Sequence, residues 1–328
     1  MKSNWKAALA CMALALGAQG SALAQEKAPV FDKPIRILVG FAAGGANDML
    51  ARLIGQRMSE SMGVSVVVEN RPGAAGVIAT EAVVRSAPDG HTLLLGSIGT
   101  QSFVPVLQKD TLRYDSRRDL QPISLVGNAG MVLTVRNDFP ARTVEELVAL
   151  AKASPGKYTY ASGGQGNSLH VATELFRHMS GVEMLHVPYK GNAPALNAVA
   201  SGEVDMMFSA VPPVLSLAQA GKVRLLAVTS RQRLHGLEKV PTLNEAGVPG
   251  YEVSSWYGLF GPRGIPADRA RFLSEKVAEA LAVPAVRDQI LPQGIEPAAS
   301  TPEAFEQFVN AEIEKWSGLF KTIGLSTQ

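Results

Sequence analysis

Three stretches of the chain combine glycine with small polar residues in a way that suits the holding of an anion. They are Gly44-Gly45-Ala46-Asn47-Asp48, Ser162-Gly163-Gly164-Gln165-Gly166-Asn167-Ser168 and Tyr189-Lys190-Gly191-Asn192-Ala193. Each falls where a short apolar run gives way to helix-period sequence. The first turn of a helix exposes backbone N–H groups without intrahelical partners and about half a positive charge, so a small carboxylate is a natural occupant. Glycine permits close backbone approach, and Asn and Ser add amide and hydroxyl contacts. Any one such loop also reads as an ordinary turn or N-cap; three of them together point to a ligand.

Two readings stand for each titratable neighbour. Asp48 binds a ligand cation or, as an acid in a helix's first turn, orients its own loop. His170, two residues past Ser168, is a structural hydrogen-bonding histidine or a catalytic one. Asp205 opens an apolar run and is a strand-end or hinge residue or part of the site. Ser168, His170 and Asp205 do not make a catalytic triad, because side chains at i and i+2 on a helix do not face each other. The chain lacks a G-x-S-x-G elbow, a G-x-x-x-x-G-K-[ST] phosphate loop, an H-E-x-x-H pair and a Cys/His metal cluster. The expectation is a binding protein, not an enzyme, with no cofactor.

The elements that position these loops read as alternating strands and helices, the pattern of parallel α/β sheets. A strand over 35–39 leads through the turn Phe41-Ala42-Ala43-Gly44-Gly45 into a helix with Leu50, Leu53, Ile54 and Met58 on one face. A strand over 64–69, a helix over 74–86 and a strand over 92–96 follow. Gly127-Asn128-Ala129-Gly130 interrupts two apolar runs and is read as a crossover. Strands over 131–135, 158–162, 184–188, 204–209 and 223–229 form a second lobe, with Thr143 and Glu146 as a capping box for a helix over 144–152. Helices over 267–281 and 302–321 close the chain. The stripe Phe305, Val309, Ile313, Trp316 and Phe320 on the last is docking surface.

Charge and the N-terminus bound the partners. The chain has 31 Lys plus Arg against 29 Asp plus Glu. Lys2 and Lys6, the apolar run over 7–18 and the small-residue site Ala22-Leu23-Ala24 predict a secretory signal over 1–24, cleaved before Gln25. Without Lys2 and Lys6 the charges balance, which gives no footprint for nucleic acid. The single cysteine, Cys11, falls inside that leader, so stability after cleavage comes from packing. The predicted organisation is a signal over 1–24, a discontinuous first domain over 25–127 and 230–328, and a second domain over 128–229, with a cleft between them suited to hinge closure.

Long ordered matches make the chain resemble the Bug family, the periplasmic receptors of tripartite tricarboxylate transporters. They include Pro34-Ile35-Arg36-Ile37-Leu38-Val39 into Gly44-Gly45, Val68-Glu69-Asn70-Arg71-Pro72-Gly73-Ala74, Pro88-Asp89-Gly90-His91-Thr92-Leu93-Leu94, His186-Val187-Pro188-Tyr189-Lys190-Gly191 and Pro241-Thr242-Leu243-Asn244-Glu245-Ala246-Gly247. The resemblance implies a two-lobed type II periplasmic-binding-protein fold, a periplasmic location, no catalysis, a small organic carboxylate as ligand and membrane permease subunits as partners. It carries over Phe41, Ala42, Gly44, Gly45 and Asp48 on one lobe, and Ser162, Gly166, Asn167, Ser168, His170 and Asp205 on the other, as ligand-binding residues. Asn47 and Asn167 depart from the family pattern, so ligand identity is not transferred. A ligand-sensing module that signals to a membrane sensor is the alternative use of the same fold.

Overall fold

The computed structural model describes residues 29–164, 168–189 and 192–322. The expected leader over 1–24, and Gly166 and Asn167 of the expected site, lie outside the described residues. Strand β1 (Ile35–Val39) is buried at four of its five positions, as expected of a strand covered on both faces. It pairs in parallel with β2 (Val66–Asn70) and β3 (Thr92–Ser97). Between them run α1 (Ala46–Met62), whose Leu50, Ala51, Ile54 and Met58 are buried, and α2 (Val77–Val84). The predicted helix over 74–86 starts late for a backbone reason. Gly73, Ala74, Ala75 and Gly76 all have positive φ, at 135°, 46°, 52° and 91°, which a right-handed helix excludes.

After the short turns α3 (Val104–Leu107) and α4 (Ser116–Asp119) comes β4 (Leu120–Arg136), seventeen residues without a break. The glycines at 127 and 130 were read as an interruption, and the strand runs straight through them. Their purpose is packing. A Cβ on Gly127 would lie 2.8 Å from the Ile295 side chain, and one on Gly130 would lie 2.7 Å from Leu234.

The second lobe follows as α5 (Val144–Ala153), β5 (Thr159–Ser162), α6 (Ser168–Ser180), β6 (Leu185–Pro188), α7 (Asn192–Ala200), β7 (Met206–Ala210), α8 (Val211–Gln219) and β8 (Val223–Val228). The chain then returns through β9 (Ser254–Pro262), α9 (Ala267–Ala282), α10 (Pro284–Ile290), β10 (Ile295–Pro297) and α11 (Pro302–Thr322). Strand order is β2-β1-β3-β9-β4-β7-β5-β6, with β8 and β10 also paired to β4. The architecture is a two-lobed α/β fold in which β4 belongs to both sheets. One core lies beneath α1, α9 and α10; another spans the α2 and α11 side of the first lobe and the second lobe. The predicted stripe of α11 is buried at all five positions.

Strand direction decides where the loops go. β9 is antiparallel to β3 and to β4, so the first part of β4 runs with β1 to β3. Past Gly130, β4 pairs antiparallel with β7, and β5 and β6 run with β7. The carboxyl ends of β1 to β3 and of β5 to β7 therefore both face the crossing at Gly130 and Met131. This is the end of an open α/β sheet at which ligands bind.

Candidate functional site

On the first lobe, the loop after β1 is held from below by one carboxylate. Asp48 is buried and accepts from the Gly44 backbone N–H at 3.0 Å, from Arg52 Nε at 3.0 Å and from the Asn70 amide at 2.9 Å. The Arg52 hydrogen bond, joined by those from Gly44 and Asn70, holds the Asp48 carboxyl at about 2 against the cost of burial. Asn70 also donates to the Phe41 carbonyl at 3.1 Å. Of the two sequence readings of Asp48, the geometry matches the one that orients the loop, since its oxygens are occupied by four protein donors.

What this loop leaves open is backbone. Gly45 caps α1 without a side-chain hydrogen bond, and Phe41, Ala42, Gly44 and Gly45 are exposed. Asn47 does not join them: it is buried, and its amide reaches the Leu95 carbonyl at 3.4 Å. Two neighbouring loops were missed by sequence reasoning. Gly40 and Gly76 touch so closely that a Cβ on Gly40 would sit 2.6 Å from the Gly76 Cα, and one on Gly76 would sit 2.5 Å from the Thr100 methyl. Thr100 in turn ties back to Ser97, accepting from its N–H at 3.0 Å. The ends of β1, β2 and β3 thus interlock. The paired glycines of Pro-Gly-Ala-Ala-Gly were the available signal.

On the second lobe, Ser162 ends β5 fully buried. Its hydroxyl lies 2.7 Å from His186 Nε2 and 3.2 Å from both the N and the O of Gly164. The Tyr189 N–H donates to the Ser162 carbonyl at 2.9 Å, bringing the β5–α6 and β6–α7 loops side by side. Ser168 opens α6 and is half-buried. His170 points inward from the same helix, 4% exposed. Burial pushes its imidazole down to about 4, and the neighbouring His186 and Arg177 push the same way. It is neutral at pH 7.

Asp205 is not brought to this group. The parallel register sets Tyr160 against Met206, which places Asp205 beside the start of β5, at the far end from Ser162. There it accepts from Arg136 Nε at 3.0 Å, the Thr159 N–H at 2.9 Å and the Thr159 hydroxyl at 3.0 Å. The strand predicted over 204–209 begins only at Met206, so Asp205 fastens its outer end. A cavity of about 450 Å³, lined by Asn128, Gly130, Ser230, Arg231, Trp256 and Lys315 among others, lies beside the crossing and contains none of the loop residues above.

Two glycine-bearing loops thus stand at strand ends joined by one crossing strand, and the family model for the tripartite tricarboxylate transporter family receptor matches residues 50–325. The chain belongs to that family. This receptor is 38% identical over 315 residues to a UPF0065 protein in the tcbD-tcbE intergenic region of Pseudomonas sp. strain P51, covering 95% of this chain and 92% of the other. It is 34% identical over 292 residues to BugT of Bordetella pertussis, covering 89% and 90%. Among solved structures, R. palustris Rpa4515 with adipate superposes with a TM-score of 0.77 at 36% identity, covering 90% of this chain and 98% of that one. MatC from Rhodopseudomonas palustris with bound malate gives 0.71 at 31% identity, covering 88% and 99%. The family comprises solute-binding receptors, and its structural neighbours include a periplasmic transporter protein. Among the described residues, no helix is long and apolar enough to cross a membrane.

Proposed function

We propose that this receptor captures a small organic carboxylate in the periplasm, between the rim at 41–45 and the rim at 162–168, and delivers it to permease subunits of a tripartite transporter. The observation that carries the reading is strand direction. The carboxyl ends of β1 to β3 and of β5 to β7 converge on one crossing. Helix first turns there offer N–H groups to an anion. Phe41, Ala42, Gly44 and Gly45 line one side; Ser162, Gly166, Asn167 and Ser168 serve the other, with His170 packed behind them. Asp48 acts on the ligand through the Gly44 turn. The lobes divide at 127/128 and 229/230, and closure follows when the acid binds the closed form better than the open one. The adipate and malate held by two relatives support the ligand class.

A thermal-shift panel tests this. Linear dicarboxylates including adipate and malate, aromatic acids and amino acids are compared with their amides. A ligand at a hundredfold excess over its Kd stabilises the native state by about 2.7 kcal/mol, which raises the midpoint by several degrees. At least one acid shifts the midpoint while its amide does not. A flat response to every acid, from protein shown to be folded and ligand-free, contradicts the proposal.

A further inference from the structure

Beneath the second rim, three rings cluster. Tyr160 on β5 stands opposite His186 on β6 in the parallel register, and their rings lie 4.7 Å apart at 12°. His170 from α6 packs against both, with its ring 4.3 Å from that of His186 and 6.3 Å from that of Tyr160. At the lower end the Tyr160 hydroxyl bonds to Glu174, which holds Arg177 at 2.7 Å, and the guanidinium sits 5.8 Å from the Tyr160 ring centroid. At the upper end His186 Nε2 meets the Ser162 hydroxyl. Tyr160 and Ser162, two apart on one strand, share a sheet face, with His186 opposite Tyr160 and diagonal to Ser162.

The Ser162 hydroxyl has one proton and two acceptors within reach, His186 Nε2 at 2.7 Å and the Gly164 carbonyl at 3.2 Å. With Nε2 bare, the hydroxyl donates to the ring and turns its lone pairs to the Gly164 N–H. With Nε2 protonated, the ring donates to Ser162, and the hydroxyl proton swings to the Gly164 carbonyl. Starting from the neutral tautomer with its proton on Nδ1, uptake of a second proton at Nε2 changes which side of Gly164 the serine holds.

We propose that His186 is the positioning residue of the second rim, setting the Ser162–Gly164 turn through the Ser162 hydroxyl and resetting that turn when the ring takes up a proton. The functional weight of this step rests on the reading of that rim as a ligand loop. Among the described residues, the charged and titratable groups that face His186 are Tyr160 on β5 and His170, Glu174 and Arg177 on α6. Burial lowers the His186 imidazole, Glu174 pulls it back up and Arg177 pushes it down. The neutral ring is thus the folded form at pH 7, and the proton enters only in acid, below the usual histidine range near 6.5. The turn is constant at neutral pH and changes as the medium acidifies.

The test uses the ligand-free protein and amide NMR between pH 7 and pH 4. The Gly164 amide and the His186 ring protons shift together with one midpoint below 6.5. In His186→Gln the acid-dependent shift of Gly164 is lost, and in His170→Gln it persists. A Gly164 amide that stays still while His186 titrates overturns the proposal, as does one that titrates unchanged in His186→Gln. If His186→Gln does not fold, co-titration in the unmodified protein decides alone. Because no ligand is present, a negative result leaves carboxylate capture standing, and a failed ligand panel leaves this linkage standing.

Discussion

Asp48 spends its carboxylate on Gly44, Arg52 and Asn70. Its lowered value, about 2 against an ordinary 3.8, means its contribution is fully present above pH 4 and is lost as pH falls through about 2. Arg52 is half-exposed, and screening reduces the effect to about 1–2 kcal/mol. Asp48→Asn is therefore expected to lower stability by that amount at pH 7 and to flatten the acid limb between pH 4 and pH 2; urea unfolding at both ends checks it. An Asn variant that keeps full stability at pH 7 contradicts the brace. Asp205→Ala removes one ion pair and two hydrogen bonds from Thr159, at a cost of about 1–3 kcal/mol, and leaves carboxylate affinity unchanged. Calorimetric titration that showed a large affinity loss would return Asp205 to the site. The sequence left both roles open for these acids, because type and position carry no record of which donors the fold brings near. His186 and Asn70 were legible only as motif letters, since their partners lie on other elements.

Elements were easier to read where their period is local. The strand at 35–39 and its amphipathic helix, the capping box at Thr143 and the α11 stripe follow from patterns within one window. What failed was non-local. β9, β10 and α10 were not anticipated, and Gly127 and Gly130 looked like a break because glycine in a strand signals either a bend or a close approach. Here Ile295 and Leu234 supply the close approach. The same physics fixes the first rim, where the backbones at Gly40 and Gly76 nearly touch. Gly40→Ala drives a methyl to 2.6 Å from the Gly76 Cα, a clash with main chain that only a loop shift relieves. A loss of about 1–3 kcal/mol is expected, typical of overpacking, together with weaker carboxylate binding because α1 loses its seat. Denaturant midpoints and titration of the variant check both, and an Ala variant with unchanged stability and affinity shows that the interlock does not matter.

At the scale of the whole molecule, one strand organises everything. β4 carries the chain from one sheet to the other, and its two sets of partners turn six strand ends toward one place. Only the strand over 131–135 was read from the sequence; the seventeen-residue strand that runs through both lobes was not, and with it was missed the reason the rims oppose each other. Capture between those rims is the central claim, and the crossing-side cavity at Arg231, Trp256 and Lys315 is the competing location. The most direct test is an amide NMR map of the protein titrated with whichever acid shifts the melting midpoint most. Gly44, Gly45 and Ala46 on one lobe and Ser162, Gly164 and Ser168 on the other are expected to move together, with one saturation curve. Shifts confined to one rim, or centred on Arg231 and Ser254 beside the crossing, would contradict it.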